Sequence, residues 1–251
     1  MSIARYLSKM LLNSSGEVKS LGIEYTPYML KGIVILDGTE AGFPTYTPPA
    51  GVRALEVTVI GGGGGAGGAD GDGTYRAAGA SGGGGGWAKA FLENISASYT
   101  YAVGAGGVGV LYNNTGSDGG ATSFTDGSIL IQATGGSGGL SDYGDTSSGR
   151  TGASGGIGSL VNCTGTFGGG CQGSGQRATS VISLTQVATR GFCPLVGQNP
   201  LLGFGNNGAV GNGTDAVLVG EGGTPAYNSA TTANYKGGDG FRGEIWIKEY
   251  Y

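Results

Sequence analysis

Residues 55–68 read LEVTVIGGGGGAGG, a strand pattern that runs directly into a block of glycine. Leu55, Val57 and Val59 occupy alternate positions before that block, and this period of two predicts a half-buried β-strand. The same event recurs along the chain, since further strand patterns are followed by glycine runs and polar loops. We interpret the glycine as the material of a packed structure rather than of a flexible linker, with the loops as candidate binding elements.

The composition is extreme in one residue type. Glycine accounts for 59 of the 251 residues, more than three times the average share of about 7%. Such a bias is typical of disorder, but disordered chains are polar and highly charged. Here 38% of the residues are hydrophobic and only 12% are charged. Collagen is excluded because the chain has only 7 prolines and no lasting Gly-X-Y period.

Charge, histidine and cysteine exclude several function classes. The net charge of −4 does not favour nucleic acid, which selects basic faces. The chain has no histidine, which excludes Ser-His and Cys-His nucleophile pairs and leaves the cysteines without a zinc motif. Cys163, Cys171 and Cys193 are expected to be reduced or buried thiols, with one disulfide and a leftover thiol as the alternative.

The N-terminus carries no convincing signal peptide, and no apolar run approaches the roughly 18 residues that span a bilayer. We therefore expect a soluble protein made in a reducing cytosol.

The chain divides into three parts. Residues 1–31 are poor in glycine and form an N-terminal attachment segment; within it, residues 3–12 are predicted as a short amphipathic helix that docks on the body of the protein or on a partner. Residues 32–60 form the β-strand entry to a base, and residues 61–251 form the glycine-rich part.

The glycine-rich part repeats one pattern five times. In each repeat a glycine run follows a strand, a polar loop follows the run, and a second glycine run follows the loop. The five loops are residues 69–80, 110–118, 140–150, 176–202 and 224–236. The predicted strands are residues 33–36, 55–60, 87–92, 99–103, 121–124, 129–134, 216–219 and 244–248.

Many glycine runs side by side can form polyglycine-II helices, which have three residues per turn and point their N–H and C=O groups outward to neighbouring helices. Only glycine lets such backbones approach closely enough. The predicted fold is mainly irregular and β, with little α-helix. A short β-strand base supports a bundle of about ten such helices, and the loops lie at the distal tip. Residues expected in a small core at the base are Trp87, Phe91, Phe124, Ile129, Ile131, Ile245 and Trp246. Residues expected to face outward or cap the bundle are Ala66, Ala105, Val108, Ala153, Ser154 and Ile157.

An ordered series of motifs over about residues 45–251 carries a family resemblance. The series is VTVIGGGGGAGG, GGGGGWAKAFL, YTYAVGAGG, GGATSF, ATGGSGG and the closing GDGFRGEIWIKEYY. It resembles the glycine-rich domain of bacteriophage tail proteins, in particular the distal tail-fibre adhesins of T-even-like phages. The resemblance implies that a small N-terminal region attaches to a trimeric fibre shaft and that variable loops contact a bacterial surface receptor.

The loops suit recognition, because tyrosine combined with asparagine, serine and glycine resembles a paratope. Loop 176–202 is instead apolar and is expected to form a small subcore, with insertion into a membrane-protein receptor as the alternative. The predicted receptor-binding residues are Asp72, Tyr75, Arg76, Tyr112, Asn113, Asn114, Tyr143, Asp145, Arg150, Phe192, Tyr227, Tyr235 and Lys236. The residues predicted to attach the chain to the virion are Tyr6, Leu7, Met10 and Leu11.

Catalytic motifs are weak. Residues 104–109 fit GxGxxG, but turn-forming sequence follows where a dinucleotide-binding unit needs a helix. Asp70 and Asp72 on a glycine loop give no sign of the rigid pocket that glycosidase chemistry needs, and they lack the acidic series of a calcium loop. We expect no catalytic residues, cofactor or metal.

The expected function is that of a non-enzymatic adhesin on the virion tail, assembled in the host cytoplasm. Its expected partners are a host outer-surface protein or saccharide and, through the N-terminus, the fibre shaft or another tail protein, with a homotrimer possible and no nucleic acid. The main alternative is a structural tail or baseplate component whose loops contact other virion proteins. An ice-binding protein and a weak depolymerase are less favoured.

Overall fold

The computed structural model describes residues 11–12, 18–19, 28–39, 44–71, 76–111, 114–142, 152–171, 210–229 and 232–251. Within these ranges the chain forms strands and extended segments and no α-helix, as the sequence predicted. The strands are β1 (Leu11–Leu12), β2 (Val18–Lys19), β3 (Leu30–Leu36), β4 (Thr45–Tyr46), β5 (Ala54–Ile60), β6 (Arg76–Ala78), β7 (Trp87–Leu92), β8 (Tyr99–Ala102), β9 (Thr122–Thr125), β10 (Leu130–Ala133), β11 (Gly158–Val161), β12 (Gly165–Gly168), β13 (Tyr227–Ser229) and β14 (Glu244–Tyr250).

Two five-stranded antiparallel sheets form the base. The first has the order β12-β7-β5-β14-β3 and the second the order β11-β10-β9-β8-β4. Strand β5, which precedes the longest glycine block, pairs with β14 at the end of the chain and with β7. Two short pairs, β1–β2 and β6–β13, lie outside these sheets.

The apolar core lies between the two sheets. Alternate residues of the first sheet point inward, among them Val57 and Ile245, and they meet Phe124 and Ile131 of the second sheet. All four are fully buried. The rings of Tyr99 and Phe124 stack with centroids 4.6 Å apart, so aromatic packing closes the middle of this core.

Three residues predicted for this core lie elsewhere. Phe124, Ile131 and Ile245 are buried as predicted and Ile129 packs against them. Trp87, Phe91 and Trp246 instead occupy positions of β7 and β14 that alternate with the core residues, and they face the other side of the sheet. The strand period of two explains this, because it separates each strand into two faces.

The glycine segment that follows β5, residues 61–69, lies at the centre of the bundle. The amide groups of Gly61, Gly64 and Gly67 donate to one neighbouring segment at N–O distances of 2.9–3.0 Å. The residues between them donate to two other segments, and the carbonyl groups accept from three more. This rotation with a repeat of three is the polyglycine-II pattern. The six neighbours are residues 79–86, 104–111, 115–121, 134–142, 220–227 and 235–243.

Three further segments complete the bundle. Residues 152–157, 169–171 and 211–217 bond to its outer members, so ten segments take part within the described ranges. The predicted bundle is thus present. Residues 165–168, which are not among the predicted strands, form β12.

Other local predictions are corrected by the structure. Ala66 was expected to face outward but is fully buried in the central segment, whereas Val108 and Ile157 are exposed as expected. Residues 216–219 were predicted as a strand but lie in none: residues 216–217 end a bundle segment, Leu218 forms a bend and Val219 begins a turn. Leu11 and Leu12 lie in β1, paired with β2, and not at the end of a helix. The remainder of that predicted helix lies outside the described residues.

Candidate functional site

The described parts of the predicted loops meet at the end of the bundle opposite the base. Ala69 forms a β-bridge with Tyr235, and the amide of Asp70 donates to the carbonyl of Asp142 at 3.1 Å. Thr115 bridges to Leu140 in the same way. These contacts join loops 69–80, 110–118, 140–150 and 224–236. We call this region the loop end; its described residues are 69–71, 76–79, 110–111, 114–115, 140–142, 211–213, 226–229 and 232–236.

A second, small core supports the loop end. Strands β6 and β13, which the sequence placed in loops, pair with each other there. Ala69, Ala77 and Ala226 are fully buried between them, and Tyr235 packs against this cluster. Small side chains suit this position because the backbone segments they join lie close together. The loops therefore begin from a packed platform.

Three buried polar side chains form hydrogen bonds that connect the loop stems to one another and to the bundle. The Ser141 hydroxyl accepts from the amide of Gly68 at 2.9 Å, and a carboxylate oxygen of Asp142 accepts from the amide of Ala78 at 3.2 Å. The side-chain amide of Asn228 donates to the carbonyls of Asp70 and Ala233 at 2.5 and 2.9 Å. Sequence reasoning missed all three residues. No local pattern identifies them, because their partners are backbone groups that are distant in the sequence.

Five predicted receptor-binding residues lie in the described part of this end. Asn114 is exposed and Tyr227 is half-buried in β13. The Tyr235 ring packs against the small core, so this side chain helps to stabilise the loop end. Lys236 forms an ion pair with Asp239 at 2.9 Å. Arg76 lies in β6, where its backbone pairs with Ser229.

The other predicted site residues lie outside the described residues. They are Asp72, Tyr75, Tyr112, Asn113, Tyr143, Asp145, Arg150 and Phe192 of the loops, and Tyr6, Leu7 and Met10 of the N-terminal segment. Leu11 is in β1. Most of the predicted binding surface therefore stays a prediction from the sequence, whereas the structure describes the loop stems that carry it.

Two of the three cysteines lie in the described ranges. Cys163 and Cys171 are unpaired and half-buried, and burial raises the pKa of both thiols; Cys193 lies outside the described residues. In the part of the chain that the structure describes, no three cysteine, aspartate or glutamate side chains come together in a metal-binding group. The same part contains no helix of the length and hydropathy needed to cross a membrane.

A family model described as a glycine-rich domain matches residues 38–250. This match includes every strand of the two sheets except β3, and all ten bundle segments. No curated protein matches the chain. Because the family model covers well over half of the sequence, the chain belongs to the glycine-rich domain family.

Proposed function

We propose that the protein is a non-enzymatic phage tail adhesin, located at the tip of a tail fibre, that binds a host outer-surface protein or saccharide through its loop end. The observation that carries this proposal is the meeting of four loop stems at one end of a bundle whose other end holds the sheets. A backbone-bonded scaffold keeps the loops in place before they bind. Binding then orders few additional groups, which lowers its entropic cost.

The composition of the loops supports recognition rather than reaction. Tyr75, Tyr112 and Tyr143 fall in three different loops whose stems are joined, and tyrosine supplies contact area at a low entropic cost. Several copies on one virion would turn weak single contacts into avid attachment.

The base end fits attachment to the virion. Met29 and Tyr251 exchange two backbone hydrogen bonds, at 3.1 and 3.2 Å, so the chain before Tyr28 joins the fold at this end. Strand β3 is an edge strand, and its Ile33 and Ile35 side chains are 60% and 59% exposed. Exposed apolar edges are typical of protein interfaces. We therefore propose that the N-terminal segment and this edge bind the fibre shaft or another tail protein, with a homotrimer as one possible arrangement.

Binding of the full-length labelled protein to intact cells of a panel of bacterial strains tests the adhesin proposal. The variant Tyr75→Ser, Tyr112→Ser, Tyr143→Ser should lose at least tenfold in apparent affinity, because three aromatic contacts are worth several kcal/mol together. Its thermal midpoint should stay close to that of the wild type. Tyr235 is left unchanged because its ring packs in the small core.

The matched control replaces Ile33 and Ile35 by serine, which removes apolar surface at the opposite end. This control should bind cells like the wild type. Loss of binding in the control but not in the tyrosine variant would place the receptor contact at the base and overturn the proposal. If the folded wild type binds no strain, the alternative of a structural tail or baseplate component takes its place.

A further inference from the structure

We propose that Ser141, Asp142 and Asn228 are positioning residues that fix four loops relative to one another, so that the loop end responds as one unit. The expected effect on receptor binding rests on the proposed function, whereas the coupling between the loops rests on their hydrogen bonds alone. All three side chains are buried, with exposures of 5%, 2% and 0%. None of them can contact a receptor directly, and all three bond to loops other than their own.

Ser141 joins loop 140–150 to loop 110–118 and to the bundle. Its hydroxyl oxygen accepts from Gly68, the last glycine of the central block, at 2.9 Å. The same hydroxyl lies 2.5 Å from the carbonyl of Asn114 and 3.3 Å from that of Leu111. A hydroxyl has one hydrogen to donate, and the shorter distance favours Asn114. The position of loop 110–118 is thus tied to the end of the central segment.

Asp142 joins loop 140–150 to loop 69–80 through two contacts and to the central segment through a third. Its carboxylate accepts from the amide of Ala78 in β6, and its carbonyl accepts from the amide of Asp70. Its own amide donates to the carbonyl of Gly68 at 3.2 Å. Because both stems of loop 69–80 bond to this one residue, the loop cannot shift without moving Asp142.

Asn228 joins loop 224–236 to loop 69–80. Its side-chain amide donates to Asp70 in one loop and to Ala233 in the other. Nearby, the Asn234 side-chain oxygen accepts from the amide of Gly71 at 2.8 Å. Buried side-chain donors that satisfy carbonyls of two segments make those segments costly to separate, since separation leaves the carbonyls unpaired.

The three residues form a chain of links. Asn228 donates to Asp70, Asp70 donates to Asp142, and Asp142 follows Ser141 directly in the chain. Loosening one link should therefore loosen loops that the altered residue does not contact. Such coupling distinguishes a connected hydrogen-bond network from three independent local hydrogen bonds.

Amide hydrogen exchange of the full-length Asn228→Asp variant tests the inference. The substitution keeps the size of the side chain but removes its donor and faces a carboxylate toward two carbonyls. Exchange should accelerate at least tenfold at Gly71 and also at Ser141, whose amide donates to the carbonyl of Asn114 in loop 110–118, a loop that none of the Asn228 bonds above reaches. Amides of residues 61–66 in the central segment and of β5 should keep their wild-type rates. Acceleration confined to residues 228–234 and loop 69–80 would overturn the inference.

A pH series separates positioning from general damage. The buried aspartate should have a raised pKa, and its protonated carboxyl can donate one hydrogen bond again. The exchange defect of Asn228→Asp, relative to wild type at each pH, should therefore shrink as the pH falls. Asn228→Leu, which cannot donate at any pH, should keep its defect. A defect that is equal in both variants at every pH would contradict a positioning role.

The matched control is Asn94→Asp, the same chemical change at an exposed residue in the turn after β7, and it should leave exchange at the loop end unchanged. Cell binding is measured on the same samples. If exchange shows the coupling while the wild type binds no cells, the positioning role stands and the adhesin proposal fails. If the wild type binds but exchange shows no coupling, the positioning role fails and the adhesin proposal stands.

Discussion

Individual glycines in the central segment are required because other backbones occupy the space of a side chain. A Cβ atom added at Gly64 would lie closer than 3.0 Å to both the oxygen and the carbon of the Ser137 carbonyl. That oxygen cannot simply move away, because it already accepts from the amide of Gly83 at 2.9 Å. Clashes with fixed backbone and the loss of buried hydrogen bonds add to one another. Glycine is therefore required at residue 64 because neighbouring backbone leaves no room for a Cβ atom, and not because of turn geometry.

We predict that Gly64→Ala lowers the free energy of unfolding by about 3 kcal/mol or more, through overpacking and lost backbone bonds. The control is Gly169→Ala on an outer segment, where the only heavy atom of the described residues within 4 Å of the added Cβ is the carbonyl oxygen of Gly156 at 3.3 Å. This control should cost less than about 1 kcal/mol. Urea unfolding of both variants provides the measurement, and similar costs at both positions would show that the bundle is not closely packed.

Strand β5 shows how an element holds the base together across its outward face. The Glu56 carboxylate oxygen lies 3.0 Å from the Lys89 nitrogen of β7 and 2.7 Å from the Lys248 nitrogen of β14. Burial opposes ionisation of Glu56, but the hydrogen bonds from Lys248 and Lys89 outweigh it, so the pKa of Glu56 lies below its ordinary value. The central strand is therefore bonded to both neighbours by charge as well as by backbone.

The lowered pKa of Glu56 has a definite sign in stability. A folded-state pKa below the unfolded value of 4.5 stabilises the fold above that pH, and the stabilisation is lost as the pH falls through the folded value. Since the group is partly exposed, we expect Glu56→Gln to cost only about 0.5–1 kcal/mol at pH 7 and close to nothing near pH 3. Thermal midpoints of the two proteins from pH 3 to 7 measure this difference. Glu93→Gln in the exposed turn after β7 is the control for the charge change, and a gap that widens on acidification would refute the assignment.

Strands and glycine runs that a local sequence pattern determines could be predicted from the sequence. Strands that depend on pairing with distant residues could not. The strand over residues 87–92 and the positions of most glycine runs follow from alternation and composition. Strand β5 was expected to be half-buried, yet only Glu56 in it is not buried. Its second covered face depends on neighbours that the local pattern does not reveal. Strands β6 and β13 were missed for a related reason, because Arg76 and Ser229 pair across more than 150 positions of sequence.

The same distinction applies to the candidate site. The meeting of the loops at one end could be predicted, because alternating strands, runs and loops leave few other arrangements. The buried residues Ser141, Asp142 and Asn228 could not, since each is recognised only by the carbonyl or amide of another loop. Tyr235 was predicted as a binding residue on composition alone, whereas its neighbours in space are Ala69, Ala77 and Ala226.

The whole molecule combines two kinds of interior. Between the sheets, apolar side chains such as Val57, Phe124 and Ile247 are fully buried in the ordinary way. In the bundle, the buried material is peptide backbone: residues 61–69 are fully buried and bond to six neighbouring segments. Unfolding the base exposes mainly apolar surface, whereas unfolding the bundle exposes mainly polar peptide groups.

This difference predicts an unusual thermal signature. Exposure of apolar surface raises the heat capacity of unfolding and exposure of polar surface lowers it, and together they give about 12–15 cal/mol/K per residue in ordinary domains. The bundle adds polar surface to the balance, so we expect less than about 10 cal/mol/K per residue for this protein. Calorimetry can measure this value in two ways, from the heat-capacity step and from the slope of enthalpy against midpoint as the pH is varied. Agreement of both methods on a value in the ordinary range would mean that the buried backbone of residues 61–69 and its neighbours is not exposed in the measured transition, and that the bundle and base do not unfold together.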